Sequence, residues 1–151
     1  MVSGCLLLTA CGGGPVEIDA PELGGADRDA CAGFVEALPA TLVEEEPREV
    51  EPDDVLAAAY GDPAIVALCG VDLPVGFNRA SACEEVEGVG WYAPPEQYDD
   101  QTADVTIFAV SHRPVVELRL PSDYRPNGLA AALAALAGPV TENLEEVHDC
   151  V

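Results

Sequence analysis

Of the six cysteines in this chain, Cys11 sets the terms on which the others fold. It follows Met1–Ala10, MVSGCLLLTA, in which Leu6, Leu7 and Leu8 lead into small residues, and it precedes Gly12, Gly13 and Gly14. A secretory signal has a basic n-region, an apolar stretch of roughly 7 to 15 residues and small residues before the cut. Met1–Ala10 carries only the end of that pattern, so its beginning is expected upstream of Met1. Leu8-Thr9-Ala10-Cys11 resembles the bacterial lipobox, which implies that the chain is cut before Cys11 and that the Cys11 thiol takes a diacylglyceryl group. Two acyl chains of the palmitate kind, at about 0.8 kcal/mol per buried CH₂, hold a protein durably on a membrane where one is marginal. The expected location is therefore the extracytoplasmic face of the cell membrane.

Charge agrees with a covalent anchor. The chain has 28 acidic and 6 basic residues, all six Arg, for a formal charge of -22. Nucleic acid is excluded as a partner, since binding it needs cations that displace counterions from phosphates. Adsorption to anionic headgroups is excluded for the same reason. No run approaches the roughly 20 apolar residues of a transmembrane helix. Hydrophobic residues make up 49% of the chain, too many for an acidic disordered tail.

These features divide the sequence into a signal remnant over 1–10, the lipidated cysteine with a flexible tether over 11–25, and one domain over 26–151. Gly12 to Gly25 is mostly Gly, Pro, Asp, Glu and Ala without apolar periodicity. As random coil it would reach roughly 20 Å, beyond the Debye length of about 8 Å.

Within the domain, Asp27 is placed to cap a helix whose Cys31, Phe34, Val35 and Leu38 share one face, with Pro39 ending it. Val55 to Tyr60 reads as a short Ala-rich helical turn. Ala64 to Cys69 is an apolar run that suits a buried strand ended by Gly70, and Glu87-Gly88 suits a tight hairpin turn between Val86 and Val89. Pro94 and Pro95 close that unit. Asp104 to Ser111 and Val115 to Leu120 are strands; in the second, Val116, Leu118 and Leu120 alternate with Glu117 and Arg119. Leu129, Leu133, Leu136 and Val140 form a second helical stripe that Gly138-Pro139 should kink or break before Leu144 and Val147. Helices at both ends with strands between predict an α+β fold, a two-layer sandwich with a mainly antiparallel sheet and an N-terminal and a C-terminal helix packed on it.

Several of these segments resemble a family of small actinobacterial exported lipoproteins catalogued as a domain of unknown function, family 3515. They are the Cys31 helix ending Ala37-Leu38-Pro39, Tyr60-Gly61-Asp62-Pro63-Ala64-Ile65-Val66 with Leu68-Cys69-Gly70, the stretch Val86 to Tyr92, and Val115 to Tyr124 with its Leu120-Pro121-Ser122-Asp123-Tyr124 ending. The resemblance implies an address and a fold and no activity. Cys83 and Cys150 are additions to the family pattern.

With Cys5 in the signal and Cys11 lipidated, Cys31, Cys69, Cys83 and Cys150 remain for an oxidising compartment, where disulfides persist. Three pairings are open. Placement favours Cys31 with Cys69, one on the inner face of a helix and the other at the end of the strand beneath it, which leaves Cys83 with Cys150. A zinc site using these thiols with His112 or His148 is the alternative. No Cys-x-x-Cys or His-Glu-x-x-His spacing supports it, and neither a metal nor a cofactor is expected.

The other candidates are weaker. Ser111 and His112 are neighbours, and adjacent strand residues point to opposite faces, so His112 reads as a turn histidine. His148, beside Glu145, Glu146 and Asp149, suits a surface ion pair. Glu44 to Glu46, Asp53-Asp54 and Asp99-Asp100 lack the alternating pattern of a calcium loop and read as solvated charge. Trp91, Tyr92, Tyr98 and Tyr124 are candidates for a ligand groove, against core or edge packing. The favoured function is a non-catalytic envelope module that binds another envelope protein or a cell-wall component. A small hydrolase or transferase would need a convergent nucleophile, base and oxyanion set, and no catalytic residue emerges. A ligand carrier would need an apolar pocket between sheet and helices.

Overall fold

A computed structural model describes residues 13–147. The segment 1–12, with Cys5 and the expected lipidation residue Cys11, lies outside the described residues, as do His148 and Cys150. The elements run in the order β1 (Val16–Glu17), α1 (Gly25–Glu36), β2 (Pro47–Arg48), β3 (Val50–Glu51), β4 (Ala57–Tyr60), β5 (Ile65–Val71), β6 (Glu84–Val86), β7 (Val89–Tyr92), α2 (Glu96–Asp99), β8 (Val105–Ala109), β9 (His112–Arg113), β10 (Val115–Leu120), α3 (Asn127–Asn143) and β11 (Glu145–Glu146). A 3₁₀ turn at Ser122–Tyr124 precedes α3.

The architecture is α+β with a mainly antiparallel sheet. Seven strands pair in the order β2-β4-β5-β10-β8-β7-β6, every pair antiparallel. A parallel β1–β3 pair and an antiparallel β9–β11 pair lie apart from it. Alternation sets the faces as the sequence predicts: Val105, Ile107 and Ala109 of β8 are buried between half-buried Thr106 and Phe108, and Val116, Leu118 and Leu120 of β10 are buried while Glu117 and Arg119 pair with each other on the other face. Helices α1 and α3 touch each other; α1 also meets β5, and α3 meets β6 and β7. Phe34 of α1, Leu133 and Leu136 of α3 and Trp91, Ile107 and Leu118 of the sheet belong to one buried cluster. A cavity for a carried ligand would have to displace them.

The helix at 25–36 forms on the predicted face, with Cys31 and Phe34 buried, and closes before Pro39. Its N-cap is Gly24, without a side-chain bond, so Asp27 does not cap it. Asp27 sits in the first turn, where a carboxylate meets the positive end of the helix dipole.

Three expectations fail for tertiary reasons. Ala57–Tyr60 is a strand, because β4 pairs along its length with β5, from Ala57 opposite Leu68 to Tyr60 opposite Ile65; pairing overrides alanine's helical preference. Gly70 does not end β5. It is the extra residue of a bulge, since Val115 pairs with Val71 and Val116 with Cys69. At φ +94°, and with Leu23 pressed where a Cβ would stand, only glycine fits there. Helix α3 also continues through Gly138 and Pro139 to Asn143. The Thr141 hydroxyl donates to the Ala137 carbonyl at 2.9 Å and Asn143 Nδ2 to the Pro139 carbonyl at 2.9 Å, and Leu136, Ala137 and Val140 hold both sides of the proline in the core.

The span read as a free tether is docked over its second half. Val16 and Glu17 pair with Val50 and Glu51. Ile18 is buried with Ala57, Ala59, Val66 and Leu68 of β4 and β5, in a second cluster separate from the main core.

Candidate functional site

The described surface offers one aromatic cleft, at the β7–α2 corner. Tyr92 ends β7, Pro94 and Pro95 turn the chain, and α2 brings Tyr98 back beside it. The loop between β5 and β6 supplies the opposite wall with Val75, Gly76, Ser81 and Ala82, enclosing a cleft of about 580 Å³. Phe77 of that loop meets Tyr92 edge to face, with ring centroids 5.1 Å apart, an arrangement favourable by about 1 kcal/mol beyond area burial. Val75 is 99% exposed and Tyr98 41%; Leu73, also exposed, lies two residues before Val75. Isolated exposed apolar side chains are ordinary, whereas a cluster along one cleft marks a contact surface.

The corner is stitched from below. Arg125 donates to three backbone carbonyls, of Ala103 at 2.7 Å, Asp100 at 3.1 Å and Gln97 at 3.3 Å. Gln97 Oε1 accepts from the Thr106 amide at 2.7 Å. The Asp100 carboxylate accepts from the Thr102 amide and hydroxyl at 2.8 and 2.6 Å, and those bonds pull its pKa below the usual carboxylate value. Burial, then the charge of Glu84, raise the pKa of Tyr98. Glu96 lines the cleft itself.

Of the four aromatics singled out in the sequence, the structure brings Tyr92 and Tyr98 together. Trp91 points to the opposite face of β7 and is fully buried, its indole N–H without a hydrogen-bond partner. Tyr124 lies elsewhere, with its hydroxyl on the Pro63 carbonyl. The prolines at 94 and 95, bounding a strand and followed by a tyrosine within four residues, are the sequence signal for the cleft. Val75 carried none.

Ser111 and His112 do meet, contrary to the strand argument. The chain turns at Val110 and Ser111 instead of continuing β8, so alternation does not apply, and Ser111 Oγ lies 2.9 Å from His112 Nδ1. Ser111 Oγ also accepts from the Gly90 amide at 2.8 Å. Both residues are 2% exposed, and Glu146 stands opposite His112 in the β9–β11 pair. Burial lowers the His112 pKa, with Glu146 acting the other way. A substrate has no approach to this pair. Its role is to pin the β8–β9 turn to β7.

Cys31 and Cys69 form a disulfide, with Cα atoms 5.5 Å apart, inside the usual window. Cys83 lies just before β6; the partner expected for it, Cys150, is outside the described residues. Among the described residues no group of three or more His, Cys, Asp and Glu side chains is placed to hold a metal ion. Two acidic hollows flank the N-terminal segment. An open one of about 680 Å³ is lined by Glu17, Asp19, Glu51 and Asp53, and a deeper one of about 410 Å³ by Asp19, Glu22, Arg28 and Asp54 with Cys69 at its floor.

A family model described as a protein of unknown function, DUF3515, matches residues 2–148. The chain belongs to DUF3515. The DUF3515 unit thus takes in both long helices, the whole seven-stranded sheet and the N-terminal segment docked across it. Neither the curated proteins nor the solved structures give a match.

Proposed function

We propose that this DUF3515 protein is an exported actinobacterial lipoprotein, cut before Cys11 and anchored by lipid on that residue to the extracytoplasmic face of the membrane, where it acts as a non-catalytic binding module for another envelope protein or a cell-wall component. The lipobox-like Leu8-Thr9-Ala10-Cys11 and the -22 charge support the address. A second disulfide, Cys83–Cys150, goes with it. The domain is taken as two layers, helices on one face of the sheet, with the N-terminal segment a partial cover on the other.

The observation that carries the binding reading is the exposed aromatic cleft. In the strand order it lies well away from β4 and β5, over which the N-terminal segment packs. Val16 is five residues from Cys11, which allows at most about 18 Å of extended chain, and the N-terminal segment packs over β4 and β5. Tyr92 is on β7, beyond β5, β10 and β8 in the strand order, roughly 19 Å from β4 at 4.8 Å per strand. With lipid on Cys11, that separation would favour a cleft presented away from the membrane. The hydrolase or transferase reading gains nothing from Ser111 and His112, whose burial removes them from any substrate.

Affinity capture of the full chain from its native envelope, with and without Val75→Arg, tests this. One reproducible partner, lost in the variant, is the expected result. Turnover of an envelope substrate by the purified chain that survives Val75→Arg would replace binding with catalysis.

A further inference from the structure

We infer that the cleft between Tyr92, Pro94, Pro95, Tyr98 and Val75 receives an extended polypeptide segment bearing Lys or Arg between apolar residues; this rests on the binding reading above and names its partner class. Two independent features of the cleft select such an occupant.

The first is apolar and aromatic. Two tyrosine rings and two prolines form a rigid wall that loses little entropy on contact, and Val75 stands wholly exposed across from it. An aromatic-lined groove with prolyl walls suits an extended chain, whose side chains enter it at intervals.

The second is electrostatic. Glu96 lines the cleft and Glu84 acts on Tyr98, and neither has an ion-pair partner among the described residues, where Arg48–Asp62 and Arg119–Glu117 are the pairs formed. Arg125, the cation beneath this corner, is taken up by backbone carbonyls. A Lys or Arg side chain entering the cleft would meet the tyrosine rings and the Glu96 carboxylate together, so that cation–π and ionic attraction add. The field of a chain with charge -22 draws polycations toward it and repels acidic segments. A neutral glycan would gain from the rings and nothing from the carboxylates, and an anionic lipid would be repelled.

The probe is a synthetic dodecapeptide repeating Lys-Pro-Leu, titrated against the full chain at physiological salt, with a Glu-Pro-Leu peptide as control. The Lys peptide should bind and the Glu peptide should not. Tyr98→Ala should weaken binding about tenfold, the loss of one desolvated cation–π contact with its apolar area. Val75→Arg, at a residue too exposed to matter for folding, should weaken binding several-fold and diminish the chemical-shift changes of the Tyr92 ring, since it sets a cation in the cleft wall. Two double variants separate the cleft from the general field, because each removes two negative charges. Glu84→Gln with Glu96→Gln should weaken binding several-fold, and Glu17→Gln with Asp53→Asn, in the acidic hollow beside β1, should leave it nearly unchanged.

Equal losses in the two double variants, unaltered binding by Tyr98→Ala, or no binding of the Lys peptide would overturn the inference. Photo-crosslinking in the native envelope then tells its failure from that of the binding reading. Adducts from a benzophenone residue at position 75 to a basic polypeptide support both. Adducts only from position 17 leave the binding reading and discard this cleft, and no adduct from either position discards both.

Discussion

The hydroxyl of Tyr124 donates to the carbonyl of Pro63 at 2.8 Å, across 61 residues of sequence. This bond joins the two segments Tyr60–Val66 and Leu120–Tyr124 that look most family-like in the sequence. Around it, Arg48 Nη1 donates to the Gly61 carbonyl at 3.0 Å and the Tyr60 hydroxyl to the Pro39 carbonyl at 2.8 Å. Gly61 has φ +73°, and a Cβ there would stand 2.5 Å from the Tyr124 hydroxyl and 2.8 Å from Glu45. Tyr124→Phe should therefore cost about 1 kcal/mol or less, one hydrogen bond to an exposed carbonyl. Gly61→Ala should cost more, about 2 kcal/mol or above, since it adds left-handed strain to a clash. Urea unfolding of the two variants orders them; equal losses would contradict the clash.

The Cys31–Cys69 disulfide closes a 38-residue separation between α1 and β5. The chain-entropy model assigns such a loop about 4 kcal/mol. The double variant Cys31→Ala with Cys69→Ala should lose that order of stability in denaturant, with the α1–β5 packing as the first region to exchange its amide protons. A loss below about 1 kcal/mol would show that packing alone holds the helix.

At the β6–β7 turn, Glu87 and Gly88 both have positive φ, +48° and +85°, as a type I′ turn requires. Glutamate is a poor occupant of the left-handed region and asparagine a good one. Glu87→Asn should raise the thermal midpoint, by about 0.5 kcal/mol of added stability. An unchanged or lower midpoint would mean that Glu87 has a compensating partner.

His112 makes stability depend on pH. Its folded pKa is lowered, chiefly by burial, so in the window below the unfolded value of 6.5 the unfolded chain binds the extra proton. Stability is fully present above about pH 6.5 and falls as pH drops through the folded pKa. His112→Gln, which retains a partner for Ser111, should flatten this limb of the stability curve relative to the parent. Parallel curves would place the dependence on the carboxylates instead.

How much of this was legible follows from where the information sits. Helix α1, the β6–β7 turn and the faces of β10 follow from short-range periodicity and turn chemistry, which one sequence displays, and the Cys31–Cys69 pairing follows from packing that helix on the strand that carries Cys69. Ala57–Tyr60 did not, because alanine carries no strand signal and only the neighbouring β5 makes it one. Nor did the bulge at Gly70: a glycine after a strand reads as a stop, and its other use appears only when Val115 and Val116 are seen to straddle it. Pro139 locally predicts a kink or a break, and its neighbours supply bonds and core contacts that carry the helix past it. The cleft was half visible. Tyr92 and Tyr98 were candidates with Trp91 and Tyr124, but separating them required strand facing and the course of the 72–83 loop that brings in Val75.

Lipid on Cys11 is the proposal from which the oxidising compartment and an outward-facing cleft would follow. Detergent phase partitioning of the protein recovered from its native envelope, against Cys11→Ala made in the same cells, tests it most directly. The parent should enter the detergent phase and the variant the aqueous phase. A variant that partitions with detergent as fully as the parent would contradict the lipid anchor and the placement built on it.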